Sequence, residues 1–209
     1  LLADHFLDGT RTRRSGYQAL DREITRIESR VRAEAPELDN AHLRDFVDLL
    51  NAVANFAAAS LQQGLFTDKR AVDEKKFQKV LLLHMRGRLG EGVVESPREG
   101  GGVPDIVYRS VTCELKVERR VTERQRIIDK YIQQATQYTS AHGGRLGVLC
   151  VLDVTKKKSP PAAPVNQLFL ERPALHGFLE LPPRDWIYLA VVVIDGRIQH
   201  PSIYSRKIG

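Results

Sequence analysis

Asp105, Glu114 and Lys116 are the residues of this chain whose types and spacing could do chemistry. They occur as Val103-Pro104-Asp105 and, after a short span, Glu114-Leu115-Lys116. Strands ending at Tyr108 and starting at Val111 would leave Arg109-Ser110 as a two-residue turn. In that register Asp105 faces Glu114, and opposite residues lie about 4.5–5.5 Å apart. Glu114 and Lys116 are two apart, so they project from one face of their strand. Two facing carboxylates repel unless a proton or a cation sits between them. A hard divalent cation suits them, with waters and phosphate oxygens completing its shell. Such an ion stabilises a pentacoordinate phosphorane and lowers the pKa of a bound water. Lys116 would orient or help deprotonate that water and offset developing negative charge. The chemistry is metal-dependent phosphodiester cleavage. The alternative is an ordinary surface hairpin carrying a Glu–Lys pair.

The elements that must position these residues follow from periodicity. Ile24, Ile27 and Val31 recur at helical spacing, and Pro36 breaks that segment. Asp39 or Asn40 caps a second helix, whose stripe Phe46, Leu49, Leu50, Val53, Phe56, Ala57 and Leu61 ends at Gly64. A third helix is expected from Val72 to about Gly87, with Phe77, Val80, Leu81 and His84 on one face. Short strands are expected at Val93-Val94, Val103–Tyr108 and Val111–Val117, with Gly100-Gly101-Gly102 as slack in the loop between the first two. A long helix from about Val121 to His142 opens on Thr122 and Gln125, which have capping-box spacing. Leu146–Val154 and Trp186–Ile194 read as buried strands. The Asp195-Gly196 turn would lead into a short strand from Arg197.

Pro104-Asp105 followed by Glu114-Leu115-Lys116 resembles the active-site hairpin of the PD-(D/E)XK nuclease superfamily. A helix carrying an acid precedes it, and a long helix and an apolar strand follow, as in that family. Gln134 and Tyr138 share one helical face and resemble the Q-x-x-x-Y helix of its RecB-like branch. The resemblance spans roughly residues 70–155. It implies a three-layer α/β core with a mixed central sheet, the restriction-endonuclease-like fold. It implies a metal held by Asp105, Glu114 and the carbonyl of Leu115, with Lys116 placing the water. Gln134 would hold the substrate strand or that water, and Tyr138 would support it. The upstream acid would be Glu74, with Asp73 and Glu95 as competitors. The products implied are 5′-phosphate and 3′-hydroxyl ends.

The 209 residues carry a net charge of +6, which leans toward an anionic partner. Arg119, Arg120, Arg124, Arg126 and Lys130 cluster after the motif as candidate phosphate contacts, with Glu118, Glu123 and Asp129 interleaved. Residues 1–66 are expected as a helical N-terminal extension serving as lid, homodimer surface or linker to an upstream domain, and 67–209 as the nuclease-like domain. The start at Leu1 leaves room for such a domain. Mg2+, or Mn2+, is the expected cofactor and DNA, ahead of RNA, the expected substrate. Endonucleolytic cleavage is favoured over exonucleolytic, with phage defence among the settings. A catalytically silent nucleic-acid-binding module is the rival. Cys113 and Cys150 in apolar runs read as buried thiols in a reducing, cytoplasmic setting. No segment has membrane-spanning length, no histidines have zinc spacing, and no nucleotide-binding glycine loop is present.

Overall fold

A computed structural model describes residues 14–67, 72–96, 104–157, 159–174 and 182–198. Four helices, α1 (Gln18–Glu34), α2 (Asn40–Gln63), α3 (Glu74–Leu89) and α4 (Arg124–Ala141), pack on one sheet. Its strands are β1 (Val93–Glu95), β2 (Ile106–Tyr108), β3 (Val111–Glu118), β4 (Leu146–Asp153), β5 (Leu168–Glu171) and β6 (Tyr188–Asp195). They lie in the order β1-β2-β3-β4-β6-β5. β1, β2 and β3 are antiparallel neighbours, β3, β4 and β6 run parallel, and β5 returns antiparallel on β6. The chain is therefore α/β with a mixed six-stranded sheet, as expected.

Alternation along the strands divides the core into two layers. Val148, Cys150 and Leu152 of β4 join Cys113 and Leu115 of β3 under α1, α2 and α3. Leu149 and Val151 face the other way, with Ile127, Ile128, Ile132 and Ala135 of α4. Both cysteines are buried and unpaired. Gly147 lets α4 come close, because a Cβ there would run into the Thr139 hydroxyl. Thr139 in turn bonds Thr112 of β3 at 2.8 Å.

Local chemistry sets the helix boundaries. Asp39 accepts the Ala41 N–H to start α2, and Gly64, in the left-handed region at φ 63°, ends it. Asp73 accepts the Lys76 N–H to start α3. The expected Thr122–Gln125 capping box does not form. Glu123 occupies the cap position but pairs with Arg126 rather than capping a backbone N–H, and Gln125 bonds Asp129. Glu118 has already fixed the chain's entry into α4 by accepting the N–H groups of Arg119, Arg120 and Val121.

The α2 stripe, expected to cover either a core or a homodimer partner, covers the core. Phe46, Leu49, Leu50, Val53 and Phe56 are at most 1% exposed and share one core with the sheet. An amphipathic helix buries its stripe against the nearest apolar layer, and here that layer is the sheet itself. β5 had no counterpart in the sequence reading, because Leu168–Glu171 is too short for its alternation to register. Val103, Gly100-Gly101-Gly102 and most of the segment from Arg197 lie outside the described residues. Among the described residues no helix is long and apolar enough to cross a membrane.

Candidate active site

The hairpin has the register expected of it. Tyr108 pairs with Val111 and Ile106 with Cys113, so one further step sets Asp105 opposite Glu114. The two-residue turn is held despite its sequence. Arg109 adopts φ 53°, a region uncommon for residues other than glycine. Its guanidinium bonds Asp45 of α2 at 2.6 Å, and Ser110 Oγ lies 2.8 Å from His42 Nδ1 of α2. α2 thus grips the hairpin by its tip.

Asp105 is fixed from three sides. Its carboxylate accepts the Leu115 N–H at 2.9 Å. Its carbonyl accepts the Ser96 N–H at 3.3 Å and the Gln78 side-chain amide at 3.1 Å. In the same register Pro104 falls opposite Leu115. Residues opposite each other in every second pair of an antiparallel ladder exchange N–H and C=O bonds. Proline has no N–H, so it cannot supply the Leu115 carbonyl with its ladder donor.

Glu114, Lys116 and Thr112 share the α4 face of β3. Lys116 Nζ is 2.6 Å from Glu114 Oε1 and 4.0 Å from Glu74 Oε1. Glu114 is buried at 3% exposure. Its Oε2 is buried without a hydrogen bond among the described residues. Burial pushes the Glu114 carboxyl up to about 7, and Asp105 adds to the rise against the opposing pull of Lys116. Burial works to lower the Lys116 ammonium, but the bond to Glu114 outweighs it and the net direction is upward. A carboxylate that burial makes costly to ionise, with one unbonded buried oxygen and a second carboxylate opposite, suits a hard cation. Among the described residues no three His, Cys, Asp or Glu side chains gather as a metal cage. The protein donors on offer are two carboxylates and the Leu115 carbonyl, a set that suits an ion keeping several waters.

Of the acids upstream, Glu74 is the one beside Lys116, while Asp73 serves as the helix cap. Gln134 lies on the α4 stripe Tyr131–Gln134–Tyr138 over the same sheet face. Its amide donates to the Tyr138 hydroxyl at 2.8 Å rather than to a carboxylate.

The expected phosphate contacts divide. Lys130 and the Tyr131 hydroxyl both bond Glu118 Oε2, at 2.6 and 2.8 Å. Glu118 is 1% exposed. Burial alone would raise its carboxyl, but Lys130 and the N–H groups of the following turn hold it down at about 2. Arg124 reaches Asp195 at 3.5 Å, and Arg119 bonds the Val72 carbonyl at 2.6 Å. These three cations are turned to structural partners because each lies beside a buried acceptor that needs one. Arg120 is exposed and its guanidinium has no partner among the described residues.

Gln78 is a site-shaping residue that the sequence reading passed over, and Pro104 enters that reading only as part of the motif. A glutamine one turn beyond Glu74, in line with Leu82 and Met85, is the sequence signal for Gln78, which is 2% exposed. Comparisons with protein-family models, with curated proteins and with solved structures each gave no match to this chain.

Proposed function

We propose that this chain is a metal-dependent nuclease of the PD-(D/E)XK type, cutting DNA internally and leaving 5′-phosphate ends. The observation that carries the reading is the convergence of Asp105, Glu114 and Lys116, with a buried Glu114 oxygen that has no partner among the described residues. The order of elements supports it too. An acid-bearing helix, an antiparallel three-strand meander, a helix and a parallel strand follow one another as they do in the restriction-endonuclease-like fold.

Asp105, Glu114 and the Leu115 carbonyl would hold Mg2+ or Mn2+, which supplies Lewis acidity at the scissile phosphate and an acidified water. Glu114 would hold the ion in its ionised form. Lys116, relieved of its one-to-one pair, would donate to the attacking water or to the phosphate oxygens. Glu74 keeps the Lys116 ammonium charged and aimed. The test is cleavage of supercoiled and linear DNA by the purified chain with Mg2+ or Mn2+. Metal-dependent cutting that disappears in Asp105→Ala and Lys116→Ala, with the circular dichroism spectrum unchanged, supports the reading. A wild-type chain that cuts neither DNA nor RNA under those conditions leaves the silent binding module as the better account.

A further inference from the structure

The substrate's path past the site is marked by which cations are left over. Around the site, Lys130, Arg124 and Arg119 are all bonded to protein acceptors. On α3, Lys75, Lys76 and Lys79 are exposed, and their ammonium groups make no ion pair or hydrogen bond among the described residues.

Helical geometry separates these three lysines. At about 100° per residue, α3 turns Phe77 toward Phe56 and Phe66. It turns Gln78 the other way, toward the Asp105 carbonyl. Arg86, further along Gln78's flank, reaches the Val93 carbonyl of β1. Lys75 and Lys79 lie on that same flank, one turn apart and about 6 Å along the axis. Lys76 lies about 160° from Gln78, further from that flank than Lys75 at about 60° and Lys79 at about 100°. The flank that borders Asp105 therefore carries two unpaired ammonium groups in line, beginning one residue from Glu74.

We propose that Lys75 and Lys79 form a phosphate track, holding the nucleic-acid strand along α3 on the Asp105 side of the scissile bond. This rests on the nuclease reading and names where its substrate runs. Two exposed, unpaired ammonium groups cost little to desolvate against a phosphate. Each displaces condensed counterions when it neutralises one. Lys130 and Arg124 would have to abandon buried carboxylates to do the same.

The experiment is equilibrium binding of a short DNA duplex, and of the matching single strand, to the intact chain in EDTA across a salt series. Lys75→Gln/Lys79→Gln should flatten the plot of log K against log salt by about 1.8 for duplex, or about 1.4 for single strand. Lys76→Gln should leave the slope unchanged. Cleavage with Mg2+ is followed in parallel for each variant. If the wild type cuts DNA but the double variant keeps the wild-type slope, or Lys76→Gln flattens it equally, the track is overturned and the nuclease reading stands. If the wild type neither binds nor cuts, both fall.

Discussion

Lys116 Nζ lies 2.6 Å from Glu114 Oε1, a contact between two side chains of one strand across a single intervening residue. Each group favours in the other the charge state that burial disfavours, and for Glu114 burial still outweighs that pull. Removing either leaves its partner stranded in a poorly solvated place. Lys116→Ala should therefore do two things at once. Cleavage should fall by at least about 10²-fold, the scale of a lost proton-transfer or charge-stabilising group. The Glu114 carboxyl should also become harder to ionise. Lys116→Arg keeps the charge and should partly restore metal binding without restoring the rate. An Arg variant as active as wild type would count against a role for the lysine in catalysis.

Proton release offers a readout independent of turnover. The folded-state pKa of Glu114 is raised from 4.5 to about 7. The folded chain thus keeps a proton that the unfolded chain loses earlier. Its stabilising contribution is full below about 4.5 and is lost as pH rises through about 7. Metal needs the ionised form. Mn2+ titrated into the chain at pH 6 should expel most of one proton, and at pH 8 far less. Calorimetry in buffers of different ionisation heat measures the count. A count that does not fall between these pH values excludes Glu114 as the titrating ligand.

Gln78 is expected to act as a positioning residue through the Asp105 carbonyl. Gln78→Ala should lower kcat several-fold and raise the Mg2+ concentration needed for half-maximal rate, with KM for DNA little changed. Gln78→Glu cannot donate that hydrogen bond when ionised and should resemble the alanine variant near neutral pH. A variant that loses thermal stability yet keeps its metal requirement would show a purely structural glutamine.

Glu118 governs acid stability. Its carboxyl is held at about 2, below the ordinary 4.5, by Lys130 and the turn N–H groups working against burial. That stability is present above about 4.5 and is lost as pH falls toward about 2. Glu118→Ala leaves the half-exposed Lys130 without its partner and three N–H groups uncapped, at a cost of about 1–3 kcal/mol. Urea melts at pH 7 and pH 3 should show the wild type losing its advantage over the variant at the lower pH.

Phe46 is fully buried in the core shared by α2 and the sheet. Phe46→Ala should cost about 3–5 kcal/mol. A chain lacking residues 1–66 should fail to fold, as judged by its amide spectrum. If that fragment folds cooperatively, α2 is an accessory after all.

The site was more legible in the sequence than its surroundings, for a physical reason. A two-residue turn fixes the hairpin register locally, so the opposition of Asp105 and Glu114 follows from counting alone. Whether α2's stripe meets the sheet or a second copy depends on contacts distant in sequence, and periodicity reports only that a face is apolar. The same holds for Arg124 and Lys130. Their charges are visible in the sequence, but the buried acceptors that claim them, Asp195 and Glu118, are placed by the fold. Arg109 and Ser110 looked like poor turn residues until Asp45 and His42 of a distant helix supplied their partners.

The unequal lengths of β2 and β3 have a mechanical consequence. β3 has eight residues and is laddered along β4, whereas β2 has three and is flanked on its other side by the three-residue β1. Glu114 and Lys116 are thus mounted on the long-laddered jaw, and Asp105 sits beyond the end of a short one, held by Ser96, Gln78 and the Leu115 N–H. Changes in metal radius or substrate width would be absorbed by Asp105, while the Glu114–Lys116 spacing stays constant. Native-state hydrogen exchange should register the difference. Amides joining β3 to β4 should open only with global unfolding, and that of Ser96 through a smaller, local excursion.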